Sequence, residues 1–263
     1  MAQMKNAPIR YVIGVVRFPE IADFDTFVKE MARGLAAGYP AGKEAEIPQI
    51  NVHIDERGVQ VQSEVLRIWQ FRSEDFKWSA VVNKGMIALH TTGYIGHEDF
   101  LRRLVEVAEV AVKTESSQVR MVEGVALRYL DLVEPKEDDV LEQYLHERFM
   151  PVGIDVGEFA LREGVNQLQM GTEAGGALRL QVARRPPSVF PPDLNSQLIV
   201  DNNWQIDRPR EDFVTIDADH SLTYVPPRKI DLEEMRGNIV GLWQPIRDIF
   251  DKITTEHAMK VWK

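Results

Sequence analysis

The sequence predicts an α+β protein that contains two copies of one unit, in the order strand, helix, four antiparallel strands, helix. Alternating or β-branched apolar segments, typical of strands, are interspersed with segments whose apolar residues recur at helical spacing. Their order is the same in residues 1–117 and 118–263, and the first strands share a short pattern, Gly14–Phe18 and Gly124–Tyr129, with one residue inserted. We therefore expect one continuous globule in which a pseudo-twofold axis relates the two halves.

The first half opens with a β-branched segment, Arg10–Phe18, that predicts a strand. Asp23–Ala36 predicts a helix, because its apolar residues lie three or four positions apart and Asp23 is a favourable N-cap residue. Four predicted strands follow: Gln49–Ile54, Val59–Phe71, Lys77–Val82 and Met86–Thr91. An apolar stripe with acidic residues in its first turn predicts the closing helix, Glu98–Lys113.

The second half opens with a predicted strand, Met121–Val133, and a predicted short helix, Glu137–Phe149, whose first turn is acidic. Four segments then predict strands, the last of them by a weak alternation: Phe159–Met170, Leu178–Arg184, Gln197–Ile206 and Phe213–Ala218. Asp231–Ile253 predicts a long final helix, in which Pro245 is expected to cause a kink.

Two such units joined edge to edge would place the long helices on one face of a shared sheet and leave a concave opposite face. This arrangement is similar to the TATA-binding-protein-like and helix-grip folds. Proteins of one fold carry many functions, so the similarity predicts an architecture and no activity.

The charge is distributed unevenly along the chain. Its 263 residues carry a formal net charge of −10. Residues 1–117 hold 14 bases and 16 acids, and residues 118–263 hold 17 bases and 25 acids, so the second half carries a net charge of −8. The absence of a Lys/Arg block argues against nucleic-acid binding. An acidic surface on the second half is compatible with a basic partner and also with solubility alone.

Several chemistries are disfavoured by what the sequence lacks. It has no cysteine, which excludes disulfides and thiolate chemistry and fits a reducing cytosol. It has no nucleotide-binding glycine motif, no nucleophile-elbow motif, and no pair of histidines one helical turn apart, so no cofactor and no metal are predicted. The N-terminus lacks a signal-peptide core and no apolar run is long enough for a membrane span, which predicts a cytoplasmic protein.

A loop and an acidic segment of the second half are the candidate surface for a protein partner. The loop, Arg185–Asp193, has four prolines in nine residues, and a stiff loop loses little entropy on binding. The alternatives are that Phe190 packs into the chain's own core and that the acidic segment, 193–219, is a solvated loop. The candidate partner-binding residues are Arg185, Val189, Phe190, Asp193, Asp201, Asp207 and Asp212.

A small anionic ligand is the second predicted partner. Arg17 and Arg128 occupy similar places in the two proposed copies and are expected on the sheet face opposite the helices. Together with His90 they are candidates for binding a carboxylate or a phosphate. The alternative is that the arginines form ion pairs with acids on neighbouring strands.

Short motifs at the edges of the predicted elements resemble a known protein family. They are Ala7-Pro8-Ile9, Arg17-Phe18, Trp69-Gln70-Phe71, Tyr94, Leu127–Asp131, and Phe250–Thr254 followed by Trp262. Over nearly its whole length the chain resembles an uncharacterised, sporadically distributed family of bacterial proteins. It departs from that family at Leu242-Trp243, near which the family usually has a Leu-His pair. The resemblance implies no catalytic residues, and the family's patchy distribution resembles that of defence-associated genes.

The function predicted from the sequence is therefore non-catalytic binding. We expect an accessory protein that binds a protein partner, in a bacterial defence or toxin-neutralising system. The alternative is a small-molecule-binding protein or an enzyme with a helix-grip-like cavity. Nucleic-acid binding is a third, disfavoured interpretation, and a homodimer formed through an exposed edge strand is a further prediction.

Overall fold

The computed structural model describes residues 6–55, 58–115, 119–136, 138–151, 162–191, 193–194, 208–209 and 212–263. This part of the chain is α+β, as predicted, with one nine-stranded antiparallel sheet. The strands are β1 (Ile9–Arg17), β2 (Ala41–Asp55), β3 (Gly58–Arg72), β4 (Trp78–Asn83), β5 (Met86–Thr91), β6 (Met121–Val133), β7 (Gly164–Gly171), β8 (Ala177–Arg184) and β9 (Val214–Lys229). The helices are α1 (Phe24–Leu35), α2 (His97–Lys113), α3 (Leu232–Ile253) and α4 (Glu256–Val261).

The two halves of the chain share the sheet, whose strand order is β2-β3-β4-β5-β1-β6-β9-β8-β7. At its centre β1 pairs with β6, with Gly14 opposite Leu127 and Ile13 opposite Arg128. On its other side each of these strands pairs with the last strand of its own half, β1 with β5 and β6 with β9. The first strand of each half therefore lies at the middle of the sheet.

The long helices and one face of the sheet enclose the main core. Helix α1 begins after Asp23, whose carboxylate accepts a hydrogen bond from the backbone N–H of Thr26 at 3.1 Å. Helix α3 begins after Asp231, which accepts from the N–H groups of Glu233 and Glu234. The apolar stripes of α1, α2 and α3 are buried against alternate residues of the strands. The predicted N-cap and helical spacing of α1 are therefore confirmed.

The opposite face of the sheet carries a second core. It is built from every second residue of the central strands, among them Tyr11, Ile13 and Leu130. Val189 and Phe190 of the proline-rich loop cover these residues, and their exposed fractions are 3% and 4%. The sheet face predicted to be open is thus partly covered by the proline-rich loop. This cover is favourable because it removes the apolar side chains of the sheet from water.

The predicted helix over Glu137–Phe149 is wrong. In the described part of this segment the chain forms two short 3₁₀ turns, Leu141–Gln143 and Glu147–Phe149. Between them Leu145 forms a β-bridge with Thr254, and the N–H of His146 bonds to the carbonyl of Ile253. These contacts with the end of α3 require extended backbone, which a helix does not provide.

The last strand extends well beyond the predicted Phe213–Ala218. Strand β9 continues to Lys229 because it pairs with β6 from Val133 back to Met121, with a register shift near Gly124. Helix α3 has the predicted length and contains Pro245. The predicted strand Gln197–Ile206 lies outside the described residues. Within the described part, no helix has the length and apolar character needed to cross a membrane.

Candidate small-molecule pocket

A pocket of about 410 Å³ lies on the helical side of the sheet, where the first turn of α2 faces the middle of α3 above β6. It is lined by three groups of residues: the N-terminal segment, the first turn of α2 with the loop before it, and side chains of β6 and α3. They are Ala7, Pro8, Ile9, Tyr94, Ile95, Gly96, His97, Glu98, Asp99, Tyr129, Asp131, Trp243, Ile246, Arg247 and Phe250. Pockets that bind small molecules commonly combine such an apolar lining with a few polar groups.

Helical and strand periodicity bring these side chains together. Tyr129 and Asp131 are two positions apart on β6, so both face the helices. Trp243, Ile246 and Phe250 are three or four positions apart on α3, so they share the surface that faces the sheet. The pocket thus forms where a helix, a strand and a helix from distant parts of the chain meet.

A chain of hydrogen bonds crosses the floor of the pocket. The hydroxyls of Tyr94 and Tyr129 are 3.2 Å apart, and the Tyr129 hydroxyl is 3.4 Å from Nδ1 of His97. The His97 ring stacks on Trp243 with centroids 4.3 Å apart. Its Nε2 is buried and has no hydrogen-bond partner among the described residues. His97 therefore has one ring nitrogen within hydrogen-bond distance of Tyr129 and the other buried without a partner among the described residues.

Burial governs the protonation of the pocket's titratable groups. It lowers the pKa of His97 to about 4, against a small opposing effect of Glu98, so the imidazole is neutral at pH 7. Burial also raises the pKa of Tyr94 to about 12, despite its hydrogen bond to Tyr129. Burial raises the pKa of Tyr129 as well, so both tyrosine hydroxyls are protonated at neutral pH, and the unpartnered nitrogen of His97 is an acceptor or a donor according to its tautomer.

Asp131 is the most unusual group of the pocket. It is 6% exposed and has no hydrogen-bond or ion-pair partner among the described residues. Burial raises its pKa to about 7, although Arg10 opposes the shift, and Asp217 adds to it. Buried polar groups in native proteins nearly always have a partner. An unpaired buried carboxyl that faces a pocket is therefore a candidate for contact with a ligand.

The predicted anion-binding residues lie on the other face of the sheet. His90 and Arg128 are both opposite Ile13, so they flank it in one row across β5, β1 and β6. Arg17 is four positions further along β1, at a distance of roughly 13 Å, and is exposed. The structure therefore brings His90 and Arg128 into one row and leaves Arg17 apart from them.

Arg128 is held in a buried cluster of ion pairs. Its guanidinium donates to both carboxylate oxygens of Asp217 at 2.7 and 2.6 Å and to Asp193 at 2.5 Å. Burial disfavours its charge, but the two carboxylates outweigh that effect and raise its pKa. Nearby, His90 is buried within 3.0 Å of the Tyr11 hydroxyl, and burial lowers its pKa to about 3. The alternative of ion pairs with neighbouring acids is the arrangement observed for Arg128.

Those predicted partner-binding residues that the structure describes form ion pairs within the protein or lie in the second core. Val189 and Phe190 are buried, which is the alternative left open for this loop. Arg185 donates to Asp212 at 2.7 Å, and Asp193 accepts from Arg128 as described above. Asp201 and Asp207 lie outside the described residues. Among the residues that the structure describes, no cluster of His, Cys, Asp or Glu could hold a metal ion.

The residues of the pocket were not identified as a site from the sequence. In the sequence, Tyr94 belongs to a motif of the family that the chain resembles and Trp243 to the segment that departs from it, and neither pattern indicates a site. One signal was present: Asp131 lies in an apolar strand between Leu130 and Leu132. A carboxylate inside such a strand is either paired or functional.

The comparisons with known proteins leave the geometry as the basis for function. No protein-family model matches the chain, and no curated protein matches it. The assignment that follows therefore depends on the pocket and its chemistry.

Proposed function

We propose that the protein binds a small molecule in the pocket between α2, α3 and β6. One observation carries this proposal: the Asp131 side chain lines the pocket, is 6% exposed and has no hydrogen-bond or ion-pair partner among the described residues. Leaving a buried polar group unsatisfied costs about 1–3 kcal/mol. A ligand that bonds to the Asp131 carboxyl would recover that free energy and would cover the apolar walls.

The substitution Gly96→Trp is expected to block the pocket and to weaken ligand binding by about tenfold. Gly96 lines the pocket, its φ of 165° is extended backbone, and a Cβ there meets nothing within 4 Å. The measurement is ligand-observed NMR with a mixture of small neutral, cationic and anionic aromatic compounds. Gly38→Trp is the matched control, because Gly38 is also open around its Cβ and lies away from the pocket.

Thermal unfolding of both variants would verify that they fold. Binding of some member of the mixture to wild type and Gly38→Trp, with loss in Gly96→Trp, would support the proposal. Equal binding by all three proteins, or binding by none, would contradict it.

Binding of a protein partner remains the second candidate function, and the long ribbon of β2 and β3 favours it. Strand β4 pairs only with Trp69–Arg72 of β3, so residues 58–68 of β3 pair with β2 alone among the described residues. The register sets Val52 opposite Val61 within this ribbon. Because β2 is an edge strand, its free backbone groups can pair with a second copy of the chain.

Sedimentation velocity over a wide concentration range is expected to show a dimer that Val65→Lys dissociates. Val65 lies on this ribbon and is 59% exposed, and Val225→Lys is the control at another exposed valine, 90% exposed. A monomer at every concentration, or equal dimerisation by both variants, would contradict this second candidate.

We also propose that the two halves of the chain are duplicated units of a TATA-binding-protein-like type. The central pairing of β1 with β6, and the pairing of each with the last strand of its own half, support this. Membership of the uncharacterised bacterial family, a cytoplasmic location, and a role in defence or toxin neutralisation stay predictions of the sequence.

A further inference from the structure

We infer that the ligand of the pocket is a small organic amine, bound as its ammonium ion between the Asp131 carboxylate and the aromatic rings around it. This inference rests on the proposed function and names the ligand class of the same pocket.

The ion pairs around the pocket leave one carboxyl without an ion-pair partner among the described residues. Asp99 accepts from Arg102 at 2.6 Å and from Arg103 at 2.9 Å. Arg247, the one guanidinium of the lining, donates through Nε to both oxygens of Asp251 at 3.1 Å. Asp131 has no such partner among the described residues. An ammonium ion would supply both a counter-charge and hydrogen-bond donors.

The aromatic residues of the lining suit a cation as well. The Tyr94 and Tyr129 rings meet edge to face with centroids 5.5 Å apart, and Trp243 and Phe250 line the same pocket. Aromatic faces attract organic cations through the negative charge of the ring face, and the attraction is stronger where water is excluded. The combination of several rings with one carboxylate is the chemistry that binds alkylammonium groups.

Two features of the surroundings oppose a cation, and neighbouring charges offset both. The first turn of α2 presents the positive end of the helix dipole, but Glu98 and Asp99 lie in that turn. Arg10 faces Asp131 from β1, but it bonds to Glu134 at 3.4 Å, and Asp217 adds a negative charge from β9. An anionic ligand would instead place a second negative charge beside Asp131, which favours the cation.

Three compounds of nearly equal shape test this inference: benzylamine, benzyl alcohol and benzoate. NMR titration of the wild type near pH 8 is expected to show benzylamine binding at least tenfold more tightly than benzyl alcohol. Because the amine requires an ionised Asp131, its affinity should fall as the pH is lowered from about 8 to 6, whereas the affinity of the alcohol should not change. Asp131→Asn should remove the preference for the amine. Asp25→Asn, at a carboxylate of α1 that is 68% exposed and lies outside the pocket lining, should retain it.

The outcomes separate this inference from the proposed function. Equal or weaker binding of benzylamine, with binding of benzyl alcohol still blocked by Gly96→Trp, would overturn the amine and leave the pocket. Preference for benzoate would overturn the amine in favour of an anion. Failure of all three compounds to bind would contradict both the amine and the pocket. Circular dichroism of Asp131→Asn would verify that its fold is intact.

Discussion

Replacing Arg128 with methionine is expected to lower the free energy of unfolding by about 3–5 kcal/mol. The side chains of Arg128 and Asp217 are 8% and 5% exposed, and their two hydrogen bonds measure 2.6 and 2.7 Å. Removing the guanidinium would leave the Asp217 carboxylate buried without its partner, which is the costly half of breaking a buried ion pair. Urea denaturation near pH 7 measures the change.

An exposed arginine provides the comparison for this prediction. Arg102 bonds to Asp99 and Glu106, but its side chain is 53% exposed and its ion pairs are screened by water, so Arg102→Met should lower the free energy of unfolding far less than Arg128→Met. The double variant Arg128→Met, Asp217→Leu should regain most of the lost stability, because no unpaired charge remains buried. A loss in Arg128→Met no larger than that in Arg102→Met would contradict the buried-pair argument.

The same cluster maintains the cover of the second sheet face. Asp193, the last residue of the proline-rich loop, forms an ion pair with Arg128 on β6, and Val189 and Phe190 pack on Tyr11 and its neighbours. Loss of the ion pair is therefore expected to loosen the loop together with β9. The charge of Arg128 is therefore expected to hold this loop against the sheet.

Local patterns predicted the regular elements that depend on local physics. Helix α1 follows from Asp23 and the spacing of Phe24, Phe27 and Met31, because a cap and an amphipathic stripe define a helix without long-range contacts. The α+β class followed from the same kind of pattern. By contrast, the turns near Leu145 depend on pairing with Thr254, and no local pattern encodes a contact between such distant residues.

The pocket could not be predicted for a related reason. His97, Asp131 and Trp243 meet only because α2 and α3 pack on the same face of β6. The sequence shows an acid in an apolar strand, but it does not show which face of that strand meets the helices. The sequence leaves the contacts of the proline-rich loop undecided for the same reason. Apolar residues in this loop are suited both to covering the second core and to binding a partner.

Asp131→Asn is expected to change how stability depends on pH. The folded protein holds the Asp131 proton up to about pH 7, whereas the ordinary pKa of this group is 3.8. Between these values the folded state binds more protons than the unfolded chain, so the contribution of Asp131 is complete below the lower value and is lost as the pH rises to about 7. At about 1.4 kcal/mol per pH unit, the stability of wild type relative to Asp131→Asn should fall by about 3 kcal/mol between pH 5 and 8. Urea denaturation of both proteins across this range gives the difference curve, which is the free energy of unfolding of wild type minus that of Asp131→Asn at each pH.

The difference curve is needed because two buried histidines act in the opposite direction. Burial lowers the pKa of His97 to about 4 and that of His90 to about 3. Both residues therefore lower the free energy of unfolding as the pH falls below the ordinary histidine value of 6.5. In the wild type these effects partly cancel that of Asp131, but both histidines remain in Asp131→Asn and are removed by subtraction. The stability of wild type relative to His97→Gln should show the opposite slope and rise with pH. A flat difference curve for Asp131→Asn would contradict a buried, unpaired Asp131.

The same measurement connects stability to the ligand. Above pH 7 the folded protein carries an ionised Asp131 without a partner among the described residues, and this is the state that an ammonium ion would stabilise. Saturating benzylamine near pH 8 is therefore expected to restore part of the stability that wild type loses as the pH rises. It should stabilise Asp131→Asn much less than wild type, since the asparagine side chain has no charge to neutralise. If benzylamine stabilises both proteins equally, it acts away from Asp131, and the role of this carboxyl in ligand binding is excluded.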